Sequence, residues 1–300
     1  MNPFEEQQRR FNEQTACCHG DYTNHRQRVT AEIQRAIATW RGQGREQDQR
    51  RPAAMVIGAG NCNDLDLPAM VPLVSTLHLV DLDAQAVNNA VQRDAERLGA
   101  DGASRIRIAA PLDFAAPLFQ AAGELAEKSV QEIMEMIRSN PNATTLPKVD
   151  VVVSLCVLSQ MTDTLASGLR LSKEGEDSIH AREQFPAFHA LVAEHLLRLQ
   201  QLKTPNGISL LVTDIVSSDT EPRLLNCTDS DLPRLLQQCL QRGNFFLGLH
   251  PGRLAQSTTA AAAACGRSEH ISVSPPWIWK MQNRRYAVCA IHSGPAPQPN

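Results

Sequence analysis

Length, composition and charge exclude several classes of protein. The chain has 300 residues, of which 42% are hydrophobic and 20% charged, so it can bury a sizeable core as one large domain or two small ones. Its formal net charge of −3 is too mild to favour a nucleic-acid or anionic-membrane partner, and no apolar run approaches the roughly 20 residues of a spanning helix.

The termini and cysteines favour a cytoplasmic protein. The amino terminus is charged and lacks the apolar stretch of a secretory signal. The eight cysteines are scattered, which is typical of reduced thiols and not of a disulfide framework. Cys17-Cys18-His19 has no second pair of ligands to complete a four-ligand set, so we expect no metal site.

Residues 1–50 predict an N-terminal helical cap. Five apolar residues recur at helical spacing in it: Val29, Ile33, Ala36, Ile37 and Trp40. Tyr22 and His25 lie just before this stripe, where they either line the mouth of a substrate site or form a solvated helix start. The polar run from residue 42 to Pro52 is read as an exposed connector.

The central feature of the sequence is a glycine turn followed by an acid. The apolar run Met55-Val56-Ile57 leads into Gly58-Ala59-Gly60, which is typical of a buried strand ending in a tight turn. About 20 residues later, the run from Leu77 ends in Asp81, where a second parallel strand presents a carboxylate to a ribose. A strand that merely ends in a helix-capping Asp is the alternative.

The rest of the chain alternates helices and strands. We predict helices over 84–98, 118–138, 185–202 and 232–240, and strands over 105–108, 149–158 and 208–216. The alanine tract 258–264 is read as a helix or a mobile loop, and Trp277–Met281 with Tyr286–His292 as an antiparallel hairpin. This pattern predicts a doubly wound, mostly parallel α/β sheet over residues 51–293, with a disordered tail from 294.

These motifs together resemble the class I S-adenosylmethionine-dependent methyltransferase family. The resemblance covers VIGAGNCNDL, LHLVDLD, APLDF, VDVVVSLCVLSQM, ISLLVTDIV and the closing hairpin. It implies a Rossmann-like methyltransferase fold with a seven-stranded sheet. The chain departs from the family pattern at Val56, where an acid is frequent, and at Cys62, where a third glycine is usual.

The resemblance implies S-adenosyl-L-methionine as cofactor. Gly58 and Gly60 would pass the methionine portion, Asp81 would hold both ribose hydroxyls, and Asp113 with Phe114 would flank the adenine. The complete expected cofactor set is Gly58, Ala59, Gly60, Asn61, Asp64, Asp81, Leu82, Asp113, Phe114, Ser154 and Leu155.

Charge supports this cofactor over a nicotinamide dinucleotide. Asp64 and Asp66 follow the glycine turn and would repel a diphosphate, whereas they suit a sulfonium and an ammonium. Asp64 is either a ligand of the ammonium or the N-cap of the next helix.

The acceptor side is less well defined by the sequence. The expected catalytic residues are Tyr22, His25, Gln160 and Asp214, with Asp214 as a candidate base; His180, His189 and His195 are read as solvated or packed. We expect a small-molecule acceptor, no nucleic acid and no membrane partner. We also expect that removing residues 1–45 spares cofactor binding but abolishes turnover.

Two other functions stay open on the sequence. The first is an NAD(P)-linked oxidoreductase on the same sheet, and the second is a methyltransferase-like module that binds a partner without catalysis.

Overall fold

The computed structural model describes residues 3–42, 50–112, 124–139, 146–171, 179–246 and 248–296. The strands of these segments are β1 (Ala53–Ile57), β2 (Thr76–Val80), β3 (Ile106–Ala109), β4 (Val149–Leu155), β5 (Lys203–Ser217), β6 (His270–Val273), β7 (Trp277–Met281) and β8 (Arg284–Gly294). Their helices are α1 (Pro3–Thr15), α2 (Thr23–Arg41), α3 (Leu67–Met70), α4 (Ala84–Arg93), α5 (Ala95–Ser104), α6 (Val130–Arg138), α7 (Val157–Gly168), α8 (Ile179–Leu202), α9 (Leu232–Arg242) and α10 (Pro251–Ala264).

One sheet organises the molecule, in the order β3-β2-β1-β4-β5-β8-β6, with β7 also paired to β8. Strands β1 to β5 run parallel, and β8 is antiparallel to β5. Because β6 and β7 pair with successive parts of the same edge of β8, the eight strands fill seven positions. The predicted Rossmann-like methyltransferase fold, with its antiparallel hairpin at the end of the chain, is confirmed.

Strand β4 lies at the centre because its sequence is apolar on both faces. All seven of its residues are buried, and it pairs with β1 on one side and β5 on the other. A continuous β-branched run is what a strand covered by helices on both faces requires. The strand ends at Leu155, earlier than predicted, because Cys156 takes a left-handed conformation (φ 53°) from which α7 begins.

Helix α2 forms part of the main core. Its predicted apolar stripe is 0–2% exposed and packs with Ala54 and Val56 of β1 on one face of the sheet. Glu32, on the same helix, accepts hydrogen bonds from Ser274 and His292 at 2.7 Å each. The opposite face of the sheet carries α8, α9 and α10. The predicted cap therefore shares its core with the domain that follows.

Several predicted elements differ in their bounds. The helix predicted over 84–98 is divided at Asp94, which is buried and paired with Arg97 at 3.5 Å. In the described part of 118–138, helix α6 starts only at Val130, where Ser129 and Glu132 form a capping box. The hairpin turn is Gln282-Asn283, and β6 has no counterpart in the prediction.

Some predictions lie outside the described residues, namely Asp113, Phe114, most of the connector and the last four residues of the tail. In the segments that the structure describes, no helix has the length and apolarity needed to cross a membrane. The same segments contain no cluster of three or more metal-ligating side chains.

Candidate functional site

The sheet places the glycine turn and Asp81 at its topological switch point. Strand β1 lies between β2 and β4, so the chain order reverses at β1. In open α/β sheets, ligands bind in the crevice at the carboxyl ends of the strands on either side of such a reversal. Gly58 follows β1 and Asp81 follows β2, so both border this crevice.

The two glycines of the turn are required for different reasons. A Cβ on Gly58 (φ 85°) would lie 2.2 Å from Cγ2 of Val157 and 2.7 Å from the carbonyl oxygen of Leu155. Gly58 is therefore required by the close approach of the β4–α7 connection. Gly60 (φ 46°) borders the crevice, since its Cβ would lie 3.3 Å from Oδ1 of Asn12 and 4.0 Å from Oδ2 of Asp81.

Asp81 is joined directly to the turn. Its Oδ2 accepts the Gly60 N–H at 2.7 Å, and its Oδ1 accepts the Asp83 N–H at 2.9 Å. Burial raises the pKa of this carboxyl to about 6. The two carboxylate oxygens have four acceptor positions, and the Leu82 N–H also bonds to this group, so acceptor capacity remains for a ligand hydroxyl.

Helix α1 covers the turn through polar contacts. The Asn12 side chain donates to Asp83 at 3.1 Å, and Asn61 donates to the Asn12 carbonyl oxygen at 2.6 Å and to the Thr15 hydroxyl at 3.1 Å. Asn63 adds a bond to the Thr15 carbonyl at 2.8 Å. Asn61 thus uses its amide to hold α1, and Asn12 is a crevice residue that the sequence reasoning missed.

Asp64 does not cap the helix that follows it. The N-cap of α3 is Asp66, whose carboxylate accepts the Ala69 N–H at 3.2 Å. Asp64 Oδ1 lies 3.5 Å from Nε2 of His25. Burial raises the pKa of Asp64 to about 7, against the opposing effect of Arg26.

An aromatic cluster brings the N-terminal candidates to the closing hairpin. His25 is 2% exposed, stacks on Trp279 with ring centroids 4.4 Å apart, and accepts the Trp277 Nε1–H at 3.0 Å. Tyr22 and Tyr286 pack against Trp279 with centroids at 5.5 and 5.3 Å. Tyr22 and His25 are therefore buried beside Asp64, and the alternative of a solvated helix start does not apply. The alternate spacing of the two tryptophans was the sequence signal for this shared face.

Asp214 lies at the end of β5 among buried groups. Its carboxylate accepts a hydrogen bond from the Ser159 hydroxyl, and burial raises its pKa to about 6. The charge of Asp214 also raises the pKa values of Asp64 and Cys156, which places these groups in one electrostatic neighbourhood.

The remaining candidates are distributed over both faces of the sheet. Ser154 is fully buried and its hydroxyl bonds to His195 of α8 at 2.8 Å, so its side chain is turned away from the face that carries Asp64.

The other candidates lie at separate places. Leu155 points to the α2 face, Leu82 is partly buried near α6, and Gln160 is half-buried in the first turn of α7. Ala59 is buried within the turn. His189 lies 3.2 Å from Arg253, away from this cluster.

The backbone of the turn fits a nucleoside without a diphosphate better than a dinucleotide. The N–H groups of Gly58 and Ala59 donate to the Val80 carbonyl at 2.9 and 3.2 Å, and that of Gly60 donates to Asp81. A pyrophosphate requires free backbone N–H groups, and here these three are already used. The carboxyl group of Asp81 provides acceptors instead, which suit hydroxyl groups.

Comparisons with known proteins bear on the fold alone. No protein family model and no curated protein matches the chain. PH1948 from Pyrococcus horikoshii, which its title proposes to be an RNA methyltransferase, is 10% identical with a TM-score of 0.39 over 86% of this chain and 82% of that chain. Precorrin-6y C5,15-methyltransferase from Geobacter metallireducens is 10% identical with a TM-score of 0.36 over 86% of each chain. The fibrillarin pre-rRNA processing protein of Methanococcus jannaschii is 8% identical with a TM-score of 0.33, over 80% and 66%.

The prediction of a small-molecule acceptor without nucleic acid is contradicted by these titles. Two of the three similar structures are titled for RNA or pre-rRNA. The reasoning failed because a net charge of −3 is a sum over the whole chain, whereas nucleic-acid binding depends on where the basic groups lie.

Proposed function

We propose that the chain is an S-adenosylmethionine-dependent methyltransferase. The observation that carries this proposal is the hydrogen-bonded junction of Gly60 and Asp81 at the switch point of the sheet. In this proposal Asp81 holds the ribose hydroxyls and Asn12 closes the crevice above Gly60. When bound, the cofactor supplies a methyl group already activated by its positive sulfur.

The protein's own contribution is orientation and exclusion of water. Helix α1 covers the glycine turn, and the aromatic cluster around Trp279 walls the acceptor side. The carboxyl groups that face this side are Asp64, 20% exposed in the loop after β1, and the buried Asp214 of β5.

The first prediction concerns Asp81. Replacing Asp81 by Asn removes the negative charge and places an amide N–H₂ against a backbone N–H. We therefore expect the affinity for S-adenosylhomocysteine to fall by about 10- to 150-fold, which corresponds to the loss of one charge-assisted hydrogen bond. Isothermal titration calorimetry measures the change. Asp101→Asn is the matched control, because Asp101 is an exposed acid paired with Arg105 outside the crevice. Equal affinity in both variants would refute the proposal, and a thermal shift with NAD(H) alone would favour the oxidoreductase.

A groove beside the aromatic cluster favours a nucleic-acid acceptor. It has a volume of about 580 Å³, and its lining includes Arg28, Lys280, Arg285 and Trp277, with Asp229 as the one acid, 3.4 Å from Arg28. Trp277 also bonds to His25, so this groove is adjacent to the proposed acceptor side. We propose that it holds the phosphate backbone of a single-stranded RNA.

The second prediction tests this groove. Arg28→Ala with Lys280→Ala should weaken the binding of a fluorescein-labelled single-stranded RNA by about 10-fold or more, and should lower the slope of log K against log salt by about 1.4. Fluorescence anisotropy over a salt series gives both values. The control is Arg107→Ala, since Arg107 is an exposed cation on β3 at the opposite edge of the sheet. An equal loss in the control, or no RNA binding by the wild type, would exclude the groove.

A further inference from the structure

A chain of buried polar groups runs from the closing hairpin to the loop after β1. Trp277 donates its Nε1–H to Nδ1 of His25 at 3.0 Å. Because Nδ1 accepts this bond, the proton of the neutral imidazole lies on Nε2. Stacking on Trp279 fixes the plane of the ring, so the Nε2–H has one direction. The nearest carboxylate oxygen is Oδ1 of Asp64, 3.5 Å from Nε2.

The neighbouring atoms His25 Nε2 and Asp64 Oδ1 have no hydrogen-bond partner among the residues that the structure describes. His25 Nε2 and Asp64 Oδ1 are both removed from solvent, and 3.5 Å separates them. Leaving buried polar atoms unsatisfied costs free energy, so such atoms in a native protein need an explanation. Asp66 already caps α3, which removes a structural reason for Asp64. A group that donates to Oδ1 and accepts from Nε2–H would satisfy both atoms. A hydroxyl or an amine meets this description.

The surroundings of Asp64 favour a carboxylate that exchanges its proton near neutral pH. The groups that face it are Tyr22 just before α2, Arg26 from α2, Asp214 from β5, Cys62 from its own loop and Cys156 before α7. Burial dominates, and it raises the pKa of Asp64 to about 7. Burial also lowers the pKa of His25 to about 3, so the imidazole stays neutral and keeps its Nε2–H. A base with a pKa near the working pH is the most effective.

We propose that Asp64 is the general base of the methyl transfer, that His25 is its positioning residue, and that the acceptor is therefore an O–H or N–H group. This inference rests on the proposed function. The acceptor keeps the electron pair of its O–H or N–H bond and forms the bond to the methyl carbon. The electron pair of the broken carbon–sulfur bond stays on sulfur, and the released proton is carried by Asp64. This assignment replaces the ammonium-binding role of Asp64 and the role of Asp214 as base.

The test separates base from cofactor ligand with one isosteric variant. Asp64→Asn should bind S-adenosylhomocysteine within about threefold of wild type in calorimetry, because its carboxylate does not hold the cofactor. Its rate of tritium transfer from methyl-labelled S-adenosylmethionine into fractionated cell extract should be at least 100-fold lower in every fraction that the wild type labels. This is the usual decrease in rate when a general base is removed. The wild-type rate should rise with pH to a plateau above about 7. Asp101→Asn should match wild type in both assays.

Trp277→Phe and ¹⁵N NMR test the positioning role separately. In the wild type, the His25 ring should show a protonated Nε2 and an unprotonated Nδ1 at pH 7. Trp277→Phe should release this tautomer, slow transfer by about 10-fold and displace the pH midpoint, while cofactor affinity is unchanged. A tenfold or greater loss of S-adenosylhomocysteine affinity in Asp64→Asn would overturn the inference, because Asp64 would then be a cofactor ligand. Cofactor binding by a wild type that methylates nothing would also overturn it, whereas no cofactor binding would refute the proposed function itself.

Discussion

Asp64 is the residue at which function and stability oppose each other. Its folded-state pKa lies at about 7, above the ordinary value of 3.8, so the folded protein binds this proton more tightly than the unfolded chain. The contribution of Asp64 to stability therefore falls as pH rises from about 4 to about 7, and stays low above that range. His25 acts in the opposite sense, because its pKa is lowered to about 3 and its contribution is lost as pH falls below about 6.5.

We therefore predict that Asp64→Asn stabilises the protein at pH 8. An amide cannot ionise, and its oxygen still faces the Nε2–H of His25. The gain should be about 1–3 kcal/mol in the free energy of unfolding at pH 8 and should shrink towards zero near pH 4. Urea unfolding at the two pH values measures it, with Asp101→Asn as a control that should show no such trend. A variant less stable than wild type at pH 8 would contradict the assigned burial of this carboxyl.

At the same scale, Ser154 shows what sequence reasoning cannot decide. The residue was expected to belong to the cofactor set because it lies near the end of β4. In a strand, successive side chains point to opposite faces, and its hydroxyl is bonded to His195 on the other side of the sheet. Which face a residue takes depends on how the strand is aligned with its neighbours, and a continuous apolar run such as β4 carries no alternation from which to read it.

At the scale of elements, the two N-terminal helices differ in how they are attached. Helix α2 is buried in the main core, whereas among the described side chains of α1 it is Phe11 that packs against that core. Deleting residues 1–45, which the sequence predicted to spare cofactor binding, would remove Val29, Ile33 and Trp40 from the core. We now expect that deletion to unfold the protein.

The separable element is α1, and Asn61 is the residue through which to test it. Asn61→Ala removes two hydrogen bonds to α1, so we expect S-adenosylhomocysteine to dissociate about 5- to 30-fold faster. Stopped-flow measurement gives this rate, and hydrogen exchange should show faster opening confined to α1. Asn88→Ala is the control, because Asn88 is exposed and bonds only within α4. An unchanged dissociation rate would mean that α1 does not cover the cofactor.

For the whole molecule, the sequence was sufficient for the architecture and the crevice. The spacing from Gly60 to Asp81 predicted two groups that now share a 2.7 Å hydrogen bond. The bond from Asn12 to Asp83 and the bond from Trp277 to His25 could not be predicted, because they join residues 71 and 252 positions apart. Such pairings depend on how α1 and the closing hairpin pack on the sheet, which no local pattern specifies.

The attachment of α1 by amide groups determines how the crevice responds to temperature. Lifting a helix that is held by Asn12, Asn61 and Asn63 exposes these polar groups and, among the described side chains of α1, the apolar surface of Phe11 alone. The heat-capacity change of this opening is therefore small, since that quantity follows the apolar area exposed. The rate of cofactor exchange should then give a nearly straight Arrhenius plot. Cooling should slow the exchange, without the weakening on cooling that is expected of a helix held by apolar contacts.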